Sequence, residues 1–127
     1  MRKRKKSFGE YYIKKFLDEN NVKYIKEKSF PDCKNIKPLR FDFYLPNHNI
    51  LIEFQGMHHY KPVNKYNRAK RVHKKTLIHD QIKRNYCCEN NITLIEIHYQ
   101  EIDNINNILT QIIEDQYGEL ENNRKIS

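Results

Sequence analysis

Residues 39–56 read LRFDFYLPNHNILIEFQG. Two runs rich in aromatic and branched residues, Leu39–Leu45 and Ile50–Gly56, flank Pro46-Asn47-His48-Asn49. Proline stops a ladder, and Asn and His tolerate left-handed backbone, so the stretch predicts a β-hairpin. With Asn47 and His48 as the turn residues, partners across the hairpin have numbers that add to 95: Leu45 faces Ile50, Phe43 faces Ile52 and Phe41 faces Phe54. Side chains alternate along a strand, so the other face pairs Tyr44 with Leu51 and Asp42 with Glu53. A four-residue loop over Pro46–Asn49 leaves these pairs unchanged.

Direct cross-strand neighbours have Cβ atoms about 5 Å apart, and like charges at that distance destabilise a sheet. One compensation for Asp42 and Glu53 is a divalent cation, Mg²⁺ or Mn²⁺, which favours carboxylate oxygens and retains waters that a phosphate can displace. Another is a solvent-exposed face on which the two acids are accidental, or on which one acid is paired with a lysine. Tyr44 and Leu51 share the face and suggest that it is partly covered, which favours the metal. Gln55 points the same way and can offer its carbonyl or bind a water.

Working outward, Ser7-Phe8-Gly9-Glu10 has the form of a capping box, with Ser7 as N-cap. Tyr12, Ile13, Phe16 and Leu17 follow at helical spacing, and the pattern stops near Asn20-Asn21. Val22–Phe30 suits a strand ended by Pro31-Asp32. Lys61 to about Lys75 is basic and irregular, a loop leading towards a helix over Leu77–Asn90, where Ile78, Ile82 and Tyr86 recur every four residues. Thr93–Tyr99 is a β-branched strand, and Ile102–Tyr117 an amphipathic helix carrying Ile105, Ile108, Leu109, Ile112 and Ile113. The order α-β-β-β-α-β-α implies an α/β fold, a mixed sheet of about four strands flanked by helices. A chain of 127 residues is expected to form one domain, with a basic arm at residues 1–6 and a flexible tail at 118–127.

The composition, 38% hydrophobic and 31% charged, is that of a globular chain. No apolar run approaches the ~20 residues of a membrane span, and the charged Arg2–Lys6 leads into polar sequence rather than a signal-peptide core. The expectation is a soluble protein, intracellular in a bacterial or virus-infected cell. Cys33, Cys87 and Cys88 are odd in number, two of them adjacent, with no CxxC or HxxxH pair. Such spacing favours ordinary small residues over a disulfide framework or zinc.

The net charge of +8 is unevenly placed: residues 100–127 hold six acids against two bases, −4, which leaves +12 on residues 1–99. The charge concentrates in Arg2, Lys3, Arg4, Lys5 and Lys6, and in Lys61, Lys65, Arg68, Lys70, Arg71, Lys74 and Lys75. Such fields attract a nucleic-acid backbone, and Tyr60 and Tyr66 can join the contact. A solvated, lysine-rich surface looks the same, because Asn, Ile and Lys are abundant throughout.

The constellation resembles the PD-(D/E)xK nuclease superfamily, whose core carries an acid on the first helix, an Asp on one strand and Glu-x-Lys on the next. Glu10, Asp42 and Glu53-Phe54-Gln55 fall in those places, and the resemblance covers residues 7–99. IEFQGMHHYKP (52–62) followed by HDQIKRNYCCENNITLIEIHY (79–99) is similar to phage-type homing endonucleases of the EDxHD group, relatives of very-short-patch-repair endonucleases. In that group a His after the third strand and an Asp on the following helix join the acids, and His59 and Asp80 occupy those positions. The resemblance implies a restriction-endonuclease-like core and a Mg²⁺ held by Asp42, Glu53 and Glu10. His59 would move protons or orient water. The sequence departs from the pattern at Gln55, where most members have lysine, and Lys83, one turn after Asp80, can replace it. Each assignment has a plain alternative: Glu10 as a cap, His58 in place of His59, and Asp80–Lys83 as an i, i+3 ion pair.

These readings imply metal-dependent hydrolysis of phosphodiester bonds by a homing-type or repair-type endonuclease. The expected partner is DNA, with RNA as the alternative; the protein would be a monomer or homodimer with no membrane association. A Holliday-junction or branched-DNA resolvase, a catalytically decayed nucleic-acid-binding protein and a purely structural or protein-interaction domain are the rivals, the last disfavoured by the +12 segment.

Overall fold

The computed structural model describes residues 8–126, without the side chains of His58 and residues 116–126. Ser7 and the basic arm Arg2–Lys6 lie outside the described residues. The elements are α1 (Phe8–Glu19), β1 (Ile25–Lys34), β2 (Pro38–Leu45), β3 (Ile50–Gln55), a 3-10 turn (Met57–His59), α2 (Asn67–Glu89), β4 (Thr93–His98), a second 3-10 segment (Tyr99–Asn104) and α3 (Ile105–Ile126). The chain divides into two compact units, one of residues 23–99 and one of residues 1–22 with 100–127.

The larger unit holds the sheet, in the order β1-β2-β3-β4. β1, β2 and β3 run antiparallel, and β4 lies parallel to β3, a pairing that needs the long crossover α2 provides. The fold is therefore the mixed α/β arrangement expected, in the expected order. The hairpin keeps its predicted register through Phe43↔Ile52, Tyr44↔Leu51 and Leu45↔Ile50. Its connection is the four-residue loop: His48 N–H donates to the Leu45 carbonyl at 3.1 Å, and Asn49 takes the left-handed conformation at φ 54. Asn49 also accepts from Tyr44 Oη at 3.1 Å and donates to the Asn91 carbonyl at 3.2 Å, tying the hairpin end to the turn before β4.

One face of the sheet packs beneath α2, where Cys33, Leu39, Phe41, Leu51 and Cys87 form a buried cluster with Phe30, Tyr44, Ile82 and Tyr86 around it. Phe43, Leu45, Ile50 and Ile52 on the other face are also fully buried. β3 is apolar on both sides, which explains its continuous Ile-Leu-Ile run.

Three expectations are corrected. Phe41 does not share a face with Phe43: it sits in the α2 cluster, whereas Phe43 packs edge-on to Tyr24. On the neighbouring strand at the same level, Glu27 adopts φ 52 between the pairs Lys26↔Phe43 and Lys28↔Phe41, with the register unshifted. β1 does not stop at Pro31 but runs to Lys34 with a register shift, which an edge strand allows because a missing N–H costs no ladder bond there. Residues 67–75 are helix rather than loop, extending α2 ten residues beyond its apolar repeat. Lys, Arg and Ala favour helix without producing a hydrophobic period.

In the smaller unit α1 buries Gly9, Ile13, Phe16 and Leu17, and α3 buries Ile105 and Leu109. The backbone of α3 stays helical past Tyr117, through Gly118. α1 and α2 end alike, at the predicted asparagine pairs. Asn21 and Asn91 are left-handed (φ 55 and 56), and Val22 and Ile92 N–H close back on Leu17 and Cys87 carbonyls at 2.9 Å. This is the Schellman closure, with asparagine in the place glycine usually takes. Among the described residues no helix is long and apolar enough to cross a membrane.

Candidate active site

The β2–β3 ladder gives way one pair beyond Phe43↔Ile52, where Asp42 and Glu53 stand. There the Phe54 N–H donates to Asp42 Oδ2 at 2.8 Å, so a side chain takes the bond. Glu53 in turn accepts from the Asp42 backbone. The ladder stops short of the predicted Asp42↔Glu53 pair, but the two acids lie close enough to interact, each fastened to the other's strand.

Glu53 is 6% exposed, and burial followed by the charge of Asp42 pushes its carboxyl from 4.5 up to about 8. Lys83 opposes both, its Nζ 2.8 Å from Glu53 Oε1, with the pair nearly dry. The ammonium also lies over the Phe41 ring, 5.1 Å from its centroid. The outward turn of Phe41 towards α2 thus supplies the apolar floor on which Lys83 rests.

α2 aims Asp80, Lys83, Arg84 and Cys87 at the sheet, the i, i+3, i+4, i+7 stripe of one helix face. Asp80 is 5% exposed and its Oδ2 lies 2.7 Å from His59 Nδ1. A carboxylate only accepts, so in this bond the proton of a neutral His59 sits on Nδ1. The i, i+3 residues Asp80 and Lys83 therefore do not simply pair with each other: each reaches a different partner.

Gln55, buried at 3% exposure, bonds in two directions. Its Nε2 donates to Glu96 Oε2 at 2.8 Å, and its Oε1 accepts from Tyr60 Oη at 2.9 Å. Glu96 stands beside Glu53 in the parallel register and receives Arg84 through Nε at 2.6 Å and Nη2 at 2.7 Å. Tyr60 lies against His98, centroids 4.0 Å apart, and His98 stacks on Tyr99 at 4.6 Å. Sequence reasoning missed Glu96, Arg84 and His98. The available signal was a lone acid in the apolar strand TLIEIH, with a base on the helix stripe before it. No buried side-chain N or O among the described residues lacks a partner.

Cys33 and Cys87 are core residues whose thiols burial pushes up, Cys87 to about 11. Lys61, Lys65, Arg68, Lys70, Arg71, Lys74 and Lys75 are all exposed, five of them on the first half of α2. Glu10 lies in the first turn of α1, in the other unit.

Asp42 and Glu53 fit a hard divalent cation by donor chemistry, since burial first and the charge of Asp42 second raise the Glu53 carboxyl. Lys83 already offsets part of this, so the acid–lysine pairing that the sequence offered as the alternative to a metal is present here. Among the described residues no group of three or more His, Cys, Asp or Glu converges as a ligand set, so a cation here would keep waters for its remaining positions.

The chain is 34% identical over 61 residues to uncharacterized protein 307L of Invertebrate iridescent virus 6, a match covering 48% of this chain and 31% of that protein. The chain thus aligns to about a third of that relative's length. No family model matches the chain, and no solved structure matches it significantly.

Proposed function

We propose that this chain is a metal-dependent endonuclease that hydrolyses phosphodiester bonds in DNA. The observation that carries the reading is Lys83 Nζ at 2.8 Å from Glu53, itself next to Asp42. Two acids and a lysine are the working set of the superfamily the sequence resembles, and the lysine absent at position 55 is supplied here from α2. Asp42 and Glu53 would hold Mg²⁺ or Mn²⁺; a cation bound there neutralises phosphate charge and acidifies water. A role for Glu10 rests on the resemblance alone.

The chain's own residues account for the rest. Lys83 places a fixed cation beside the acids, in a dry setting where its charge acts strongly on a developing negative charge. Asp80 holds the His59 tautomer, and His59 Nε2 takes a proton from the attacking water or returns one to the leaving oxygen. The bases of the first half of α2 hold the phosphate backbone without reading sequence.

The test is incubation of supercoiled, linear, single-stranded and branched DNA with Mg²⁺ or Mn²⁺, wild type beside Asp42→Ala. Cleavage only by wild type and only with the cation supports the reading. Cleavage that survives Asp42→Ala overturns the site, and tight binding without cleavage under any condition overturns the activity.

A further inference from the structure

We infer that Gln55, Tyr60, Glu96 and Arg84 form a positioning chain that holds His59 and Lys83 in place, so that Gln55 takes no part in the chemistry. The inference rests on the nuclease reading for its catalytic consequence, and on hydrogen bonds for its existence. Glu96 only accepts and the Tyr60 hydroxyl is aimed to donate, so a side chain between them must donate at one end and accept at the other. A neutral amide meets that demand. A lysine there has no acceptor and sets a third cation beside Lys83 and Arg84.

The chain is joined to the candidate machinery at both ends. Tyr60 directly follows His59 as the cap of the 3-10 turn, and the two consecutive residues are pinned to different elements. His59 bonds Asp80 on α2 at 2.7 Å, and Tyr60 bonds Gln55 on β3 at 2.9 Å. The turn's backbone is closed by His59 N–H to the Gly56 carbonyl at 3.1 Å and by Tyr60 N–H to Met57 at 3.0 Å. At the other end Arg84 directly follows Lys83, and its two-pronged bond to Glu96 fixes the rotation of α2 over β4. The side chains that reach Asp80 and Glu53 are thereby set relative to each other through one polar path. Position 55 is thus held by a side chain that must both donate and accept, and the cation beside Glu53 comes from Lys83 instead.

The test compares wild type with Tyr60→Phe, Gln55→Leu, their double variant, Gln55→Lys, Lys83→Met and Gln55→Lys/Lys83→Met. Steady-state DNA cleavage is read together with amide hydrogen exchange at His59 and Tyr60. Tyr60→Phe and Gln55→Leu are each expected to lower kcat about 10-fold with KM unchanged. The double variant should be no worse than the worse single one, because all three break the same path. Gln55→Lys should not restore Lys83→Met, and Tyr60→Phe should speed exchange at both amides. Multiplying losses, restoration by Gln55→Lys, or unchanged exchange in Tyr60→Phe would overturn the inference. Were wild type to cleave nothing, the nuclease reading would fail, and the exchange comparison would still decide the positioning chain by itself.

Discussion

Glu53→Gln removes the charge of the central acid while keeping its shape. Burial first, and Asp42 second, raise the Glu53 carboxyl from 4.5 to about 8 despite Lys83 at 2.8 Å. A carboxyl raised in the folded protein contributes stability that is full below pH 4.5 and is lost as pH climbs through about 8, because the folded chain keeps a proton that the unfolded chain has released. Over that interval the loss accrues at about 1.4 kcal/mol per pH unit, a ceiling of about 5 kcal/mol. The Glu53→Gln protein has nothing to ionise there and escapes the loss. Urea unfolding followed by circular dichroism, in EDTA at pH 5, 6, 7 and 8, should show its advantage over wild type growing steadily with pH. Two stability curves that stay parallel from pH 5 to 8 would refute a buried carboxyl coupled to Asp42.

Mg²⁺ should reverse that loss: at about 100 times its dissociation constant it should stabilise wild type by about 2.7 kcal/mol. The gain should be larger at pH 8 than at pH 6, where the Glu53 proton competes, and equal stabilisation of Asp42→Asn would show that the ion binds elsewhere. Asn49→Ala gives up a left-handed residue at φ 54 and bonds to Tyr44 and Asn91, so thermal unfolding should report a cost of about 1–2 kcal/mol, with Asn49→Gly costing less. Arg71→Gln and Lys75→Gln, on the exposed side of α2, should each reduce the slope of log binding constant against log salt by about 1, for any DNA sequence. A slope unchanged in both variants would remove α2 from the interface.

The hairpin was legible because two local rules, period-two alternation and the numbers that add to 95, are enough to set its register from Leu45↔Ile50 to Phe43↔Ile52, which brings Asp42 and Glu53 to the end of the ladder. The asparagine helix stops were legible for a similar reason, since few residues other than glycine accept positive φ. What failed depended on partners distant in sequence. Phe41 packs in the α2 cluster level with a left-handed Glu27 on β1, and nothing in KEKSF or RFDFYL announces either. The first half of α2 lacks an apolar stripe because its inward residues are Ala69, His73 and Thr76, which a hydrophobic period does not register. Lys83 was visible as a base on a helix, and its use became clear only when α2 set it against Glu53. The role of Gln55 was hidden because Glu96 and Tyr60 lie on either side of it only in the folded chain.

The most direct measurement is single-turnover cleavage of supercoiled DNA in Mg²⁺ by wild type and Lys83→Met, with DNA binding followed in the same samples. Wild type should nick or linearise the DNA; Lys83→Met should bind it equally well and cleave about 100-fold more slowly or less. A Lys83→Met protein that cleaves at the wild-type rate would contradict the assignment of Asp42, Glu53 and Lys83 as the site of hydrolysis.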